Sequence, residues 1–191
     1  MSMKEAFDTF FEKLDKSSLK ALGKHPSVPY LEGVVSKDLL LLDTLDKNGY
    51  VVWKPELQKE KISFDHVEKE LGFSIHQQIK EFCNTYWFRD LGANIMTPEG
   101  KVKFSLDQIL PSFDLEKNMY DGFMHCGAHY LKDHKYFLIG SYCRVEGIDS
   151  YLVHANNDTS EVTAVHVGDK KSIKLADSIE ELLLNMKGKW S

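Results

Sequence analysis

The chain has 191 residues, 42% of them hydrophobic and 12% aromatic, which is enough to bury a real core and is most simply one domain over 1–191. Its formal net charge of -5 argues against nonspecific binding to nucleic acid, which needs a basic surface to release counterions, and it permits a basic protein partner. No run approaches the roughly 20 apolar residues of a membrane span, and the start, MSMKEAFDTFF, lacks the separate basic and apolar regions of a signal sequence, so a cytoplasmic protein is expected.

Residues 1–33 read as an N-terminal helix and a crossing segment. Over Met3–Leu22, Phe7, Phe10, Phe11 and Leu14 form one stripe opposite Asp8, Glu12, Lys13 and Asp15, and Gly23 is the stop. Such a stripe packs on its own domain more often than on a partner. Pro26 and Pro29 cannot continue the helix and carry the chain over the surface to residues 34–191, the core. Leu39–Leu45 and Tyr50–Trp53 are apolar runs around Asp46-Lys47-Asn48-Gly49, a hairpin signal.

Ile62–Trp87 holds two helix signals in tandem. The first has Ser63 as N-cap, Asp65 in its first turn, and Phe64, Val67 and Leu71 at helical spacing. Gly72 stops it in the left-handed region, and Phe73 is expected to fold back onto Val67. Ser74 with Gln77 then reads as a capping box, with Ile75, Ile79, Phe82, Cys83 and Tyr86 on the apolar face of the second helix.

Asn94–Met96 and Val102–Phe104 flank Thr97-Pro98-Glu99-Gly100 and predict a second hairpin. Ser105–Leu110 reads as a short capped helix, and the acidic, aromatic segment through Gly122 shows no regular pattern. Tyr136–Cys143, Ser150–Ala155 and Glu161–Val167 predict a three-stranded meander. Ser178 with Glu181 caps a last helix with Ile179, Leu182, Leu183 and Met186 buried, ended by Gly188. Strands and helices in unmixed runs give α+β, an antiparallel sheet flanked by helices, with an added N-terminal helix.

Chemistry is weakly signalled. His125, Cys126 and His129, with His134 and Cys143, are ligand types at short spacing, but a structural zinc site shows paired ligands with recognisable spacing, and only Cys126 has histidine neighbours. A Cys126–His nucleophile pair lacks an orienting third group, and no phosphate-binding glycine loop is present. Cys83, Cys126 and Cys143 read as reduced buried thiols. No catalytic residue, cofactor or metal is expected.

Two regions suit a protein contact. Trp87 and Phe88 cannot both point where Tyr86 points, so the corner with Trp87, Arg89 and Asp90 is expected to expose one of its aromatics. Glu146 and Asp149, near the turn entering the second meander strand, could join Asp114, Glu116 and Asp121 in an acidic surface, although an ordinary solvated face explains them more simply.

The order Val67, Glu68, Leu71, Gly72, Phe73, Ile75, Ile79, Phe82, then Phe137–Gly140, then Ser178-Ile179-Glu180-Glu181-Leu182-Leu183, resembles the SUKH superfamily, and within it most nearly the Syd branch of SecY-interacting proteins. Val52-Trp53-Lys54-Pro55 adds to the likeness. His76, where many relatives have proline, and residues 105–134 depart from the pattern. The resemblance implies a protein-binding module without catalysis. Its first expectation is an immunity protein that neutralises a bacterial toxin domain, and its alternative is a peripheral protein at the cytosolic loops of the SecY channel.

Overall fold

A computed structural model describes residues 1–33, 36–129, 136–145 and 148–188, with only the backbone described at 125–129 and 148–149. Ser2 and Glu5 form a reciprocal capping box that starts α1 (Met3–Leu22), and Gly23, at φ +68°, ends it. The predicted stripe faces inward, with Phe7, Phe10 and Leu14 buried. β1 (Ser27–Pro29), β2 (Leu40–Leu41) and β3 (Tyr50–Trp53) make a small sheet in the order β1-β3-β2, so the proline crossing is itself a strand. The hairpin turn is held by the Asp46 carboxylate, which accepts from the backbone N–H of Asn48 (2.8 Å) and Tyr50 (3.0 Å). β4 (Glu56–Leu57) pairs with β5 (Tyr86–Trp87).

α2 (Asp65–Leu71) ends at Gly72, which is left-handed at φ +75° as predicted. The capping differs from the expectation. Ser63 Oγ accepts from Asp65 N (3.2 Å) although Phe64 holds the N-cap position. α3 (Gln77–Thr85) starts three residues after Ser74, and its cap is His76, whose Nδ1 accepts from Gln78 N (3.2 Å). Side chains from elsewhere take the role given to Ser74: the Glu68 carboxylate accepts from Ile75 N (2.7 Å), while the Asn157 amide accepts from His76 N (2.8 Å) and donates to Ser74 O (2.9 Å). Phe73 packs its ring on Phe123, 5.1 Å between centroids.

The main sheet is antiparallel throughout, in the order β11-β10-β9-β8-β7-β6-β12. β6 (Leu91–Thr97) and β7 (Gly100–Leu106) form the predicted hairpin, β8 (Tyr136–Val145), β9 (Ile148–Asn156) and β10 (Val162–His166) the predicted meander, and β11 (Ser172–Ala176) extends it. Three expectations are corrected. Ser105 and Leu106 belong to β7, and their alternation toward the core outweighs a cap signal at Ser105, so no helix forms there. The segment read as irregular contains α4 (Leu115–His129), whose first turn is held by Asp114 Oδ1 accepting from Lys117 N (3.1 Å). α5 (Ile179–Asn185), capped by Ser178 as predicted, stops before Gly188; that glycine lies in β12 (Lys187–Gly188), paired with Ala93, and a Cβ there would lie 2.3 Å from Ser17 Oγ.

α1 covers α5, α3 and β12, and α4 covers β8. Phe7 is the centre of an aromatic cluster, with centroids 5.6 Å from Phe82, 5.7 Å from Tyr86 and 5.4 Å from Phe88. The fold is α+β, a curled antiparallel sheet with helices packed on it, as the sequence pattern predicts.

Candidate partner-binding groove

Alternation along β7 sends Val102, Phe104 and Leu106 inward and leaves Lys101 and Lys103 outward. Register then builds a surface: Lys103 lies between Asn94 of β6 and Arg144 of β8, and Ser105 lies opposite Tyr142. The small sheet and the end of α1 stand across from this face, and together they enclose an open groove of about 880 Å³. Leu22, Pro26, Val28, Tyr50 and Trp53 line one wall, and Asp90, Asn94, Lys103, Tyr142 and Arg144 line the other. Its charges are mixed. Lys24 pairs with Asp46 (3.1 Å) and lies 4.7 Å from the centre of the Tyr50 ring, whereas Lys103 stands opposite the like charge of Arg144.

Asp90 carries the rim of the groove into the corner expected from the sequence. The residue is open on its outer side, but its carboxyl is crowded by protein; that burial, aided by Asp107, pushes its pKa up against the Gln108 N–H (3.3 Å) and Arg89, which pull it down. Arg89 is buried, 8% exposed, and its Nε and Nη1 have no hydrogen-bond partner. Nearby Asp38 is held below the usual carboxylate range by hydrogen bonds from Ser112 and Ser36, with a smaller contribution from Arg89. Asp38 and Asp90 thus both feel the buried guanidinium of Arg89, and Asp107 acts on Asp90. Phe88 takes the inward position and is fully buried, and Trp87 is half-buried in β5 opposite Glu56.

Of the other expected contact residues, Asp149 lies in β9 with only its backbone described, and Glu146 lies outside the described residues. So does His134, and the side chains of His125, Cys126 and His129 are likewise outside them. Cys143 is buried in β8, where desolvation pushes its thiol up to about 12, and Cys83 is pushed to about 12 in the same way. Among the described residues no three His, Cys, Asp or Glu side chains come together in a metal-binding arrangement. Lys24, Lys103, Tyr142 and Arg144 were not singled out in the sequence. Strand alternation could have placed Lys103, Tyr142 and Arg144 outward, but facing Lys24 across the groove depends on long-range packing.

Across residues 4–188 the chain matches the family described as Syd protein (SUKH-2), an interval that includes every residue lining the groove. It is similar to Protein Syd of Shewanella piezotolerans, 25% identical over 184 residues, covering 96% of this chain and 81% of that protein. It is likewise similar to Protein Syd of Shewanella frigidimarina, 27% identical with the same coverage. Among the described residues no helix is long and apolar enough to cross a membrane. The match takes in nearly all of α1, all three sheets and the closing strand β12, and on that breadth the chain belongs to the Syd (SUKH-2) family.

Proposed function

We propose that this protein is a non-enzymatic binding module that docks peripherally on the cytosolic face of the SecY channel. The family match over residues 4–188 carries this reading, and it favours the translocon role over toxin neutralisation. The open groove and the acidic corner beside it offer the contact surface: the exposed Tyr50 and Tyr142 supply apolar area, and Asp38, Asp90 and Asp107 supply negative potential toward cytosolic loops rich in lysine and arginine. Glu146 and Asp149 are further acidic contact residues in this reading.

Co-sedimentation with inverted membrane vesicles tests it. Binding that rises with the SecY content of the vesicles and saturates supports the role; equal binding to SecY-depleted vesicles overturns it. Reversing both Glu146 and Asp149 to lysine slows association several-fold, and the wild-type rate falls between 0.1 M and 1 M salt as the Debye length shrinks from about 10 Å to about 3 Å. A rate indifferent to salt and to both reversals removes electrostatic steering and leaves the aromatic groove as the contact.

A further inference from the structure

The charges of the groove are ordered along its length, and strand register gives the order. Asp90, just before β6, and Gly92 and Asn94 within it follow one another at two-residue steps, and all three line the groove. Gly92 is paired with Ser105, whose other neighbour is Tyr142, and Asn94 is paired with Lys103, whose other neighbour is Arg144. The floor therefore runs from a carboxylate at Asp90, over a low centre at Gly92 and Ser105 beside the exposed ring of Tyr142, to two exposed cations at Lys103 and Arg144. Four residues of strand separate its acidic and basic ends, which is about 13 Å.

Each end has a physical reason to receive the opposite charge. Asp90 is exposed toward the groove but has Asp107 near it and protein crowding its carboxyl, so a cation arriving from the groove offsets the cost of its charge. Lys103 and Arg144 are like charges on directly opposed residues, an arrangement unfavourable by itself, and an anion between them turns repulsion into attraction. Asn94 Nδ2 is occupied in donating to Gly188 O (3.2 Å), which leaves recognition at this end to the two cations. Lys24 on the facing wall does not extend the basic end, because Asp46 neutralises it.

We propose that the groove holds an extended peptide segment carrying a basic, an apolar and an acidic side chain at alternate positions, seated in turn on Asp90, beside Tyr142, and between Lys103 and Arg144. In an extended chain those three side chains point the same way and the outer two lie about 13 Å apart, matching the order and spacing of the floor. Leu22 and Tyr50, both exposed on the facing wall, supply the other side of the apolar seat. That the segment comes from a cytosolic loop of SecY rests on the proposed function; the recognition pattern does not, and it calls for an acidic residue that a purely basic loop would not supply.

The probe is the peptide acetyl-Lys-Ser-Phe-Ser-Glu-amide, titrated into the isotopically labelled full chain and followed by NMR of the backbone amides. Saturable shifts are expected at Gly92, Ser105 and Tyr142. Two peptides are compared with it: acetyl-Lys-Ser-Phe-Glu-Ser-amide, which turns the same acid to the opposite side of the strand, and acetyl-Lys-Ser-Phe-Ser-Lys-amide, which brings a cation to the basic end. Each is expected to bind about fivefold more weakly, the scale of one exposed ion pair. In the double variant Lys103→Glu, Arg144→Glu the preference inverts and the two-lysine peptide becomes the tighter ligand, a gain that misfolding cannot produce. Absence of saturable shifts at those three amides overturns the proposal. Equal binding of the displaced-acid peptide overturns the spacing, and equal binding of the two-lysine peptide overturns the basic seat. Peptide binding without SecY-dependent sedimentation would remove the proposed function and keep the groove's pattern, whereas SecY-dependent sedimentation without peptide binding would do the reverse.

Discussion

Gly72 and Gly140 are both required, for different physical reasons. At Gly72, φ is +75° and nothing lies within 4 Å of an added Cβ, so the cost of substitution is conformational alone. Gly72→Val is expected to destabilise by about 1 to 2 kcal/mol, the penalty for an L-residue, and a β-branched one above all, in the left-handed region. At Gly140 an added Cβ would lie 2.4 Å from the carbonyl oxygen of Ser105 in the neighbouring strand and 3.1 Å from Val153 Cβ. Gly140→Ala therefore pushes β7 from β8, at about 1 to 3 kcal/mol, the range for overpacking. Urea midpoints measure both. A Gly140→Ala midpoint equal to wild type would show that the two strands do not approach as described. The first of these glycines announces itself by ending a helical period; the second, inside an apolar run, does so only once its neighbour across the sheet is known.

The corner between α2 and α3 is held by Glu68 and Asn157 in place of the local capping box. Glu68 is only 18% exposed; burial pushes its carboxyl up, but the Lys80 ammonium (2.5 Å) and the Ile75 N–H together outweigh that and hold its pKa below 4.5. A carboxyl with a depressed folded pKa stabilises the fold above its unfolded value and loses that contribution as pH falls through the folded pKa. The corner is therefore expected to weaken below about pH 4.5, and Glu68→Gln to cost about 1 to 2 kcal/mol at neutral pH while flattening the acid limb of the stability profile. Thermal melts between pH 3 and pH 7 check it, and parallel profiles for the two proteins would show that Glu68 is not the group responsible. The elements themselves were largely legible, because each carries its own period and stop signals: α1, both hairpins, the meander and α5 follow from local pattern. α4 was hidden although Leu115, Met119 and Phe123 recur every four residues, since glycine, asparagine and aspartate interrupt the stripe. β11 is short, and β12 is two residues long; its pairing with β6 is visible only in three dimensions.

The sequence pattern treats α1 as an addition to the core, whereas the structure makes it part of that core. Phe7 touches aromatic side chains from α3, β5 and the residue after it, and Tyr86 donates from its hydroxyl to Asp8 on α1 (2.5 Å). Phe7→Ala is accordingly expected to cost about 3 to 5 kcal/mol, a large share of the roughly 5 to 15 kcal/mol that keeps a domain folded. A midpoint shift under about 1 kcal/mol in calorimetric unfolding would return α1 to the status of an appendage. The groove shares this dependence, since the end of α1 forms one of its walls, and its charges were not legible because they come from strands distant in sequence. The burial of α1 against α5 and β12 has a consequence for biosynthesis. The partners of α1 all follow it in the chain, α3 and β5 first and α5 and β12 about 95 residues later, so its phenylalanine stripe is covered in stages during synthesis, and until then the nascent chain presents a ready ligand for chaperones that hold amphipathic segments.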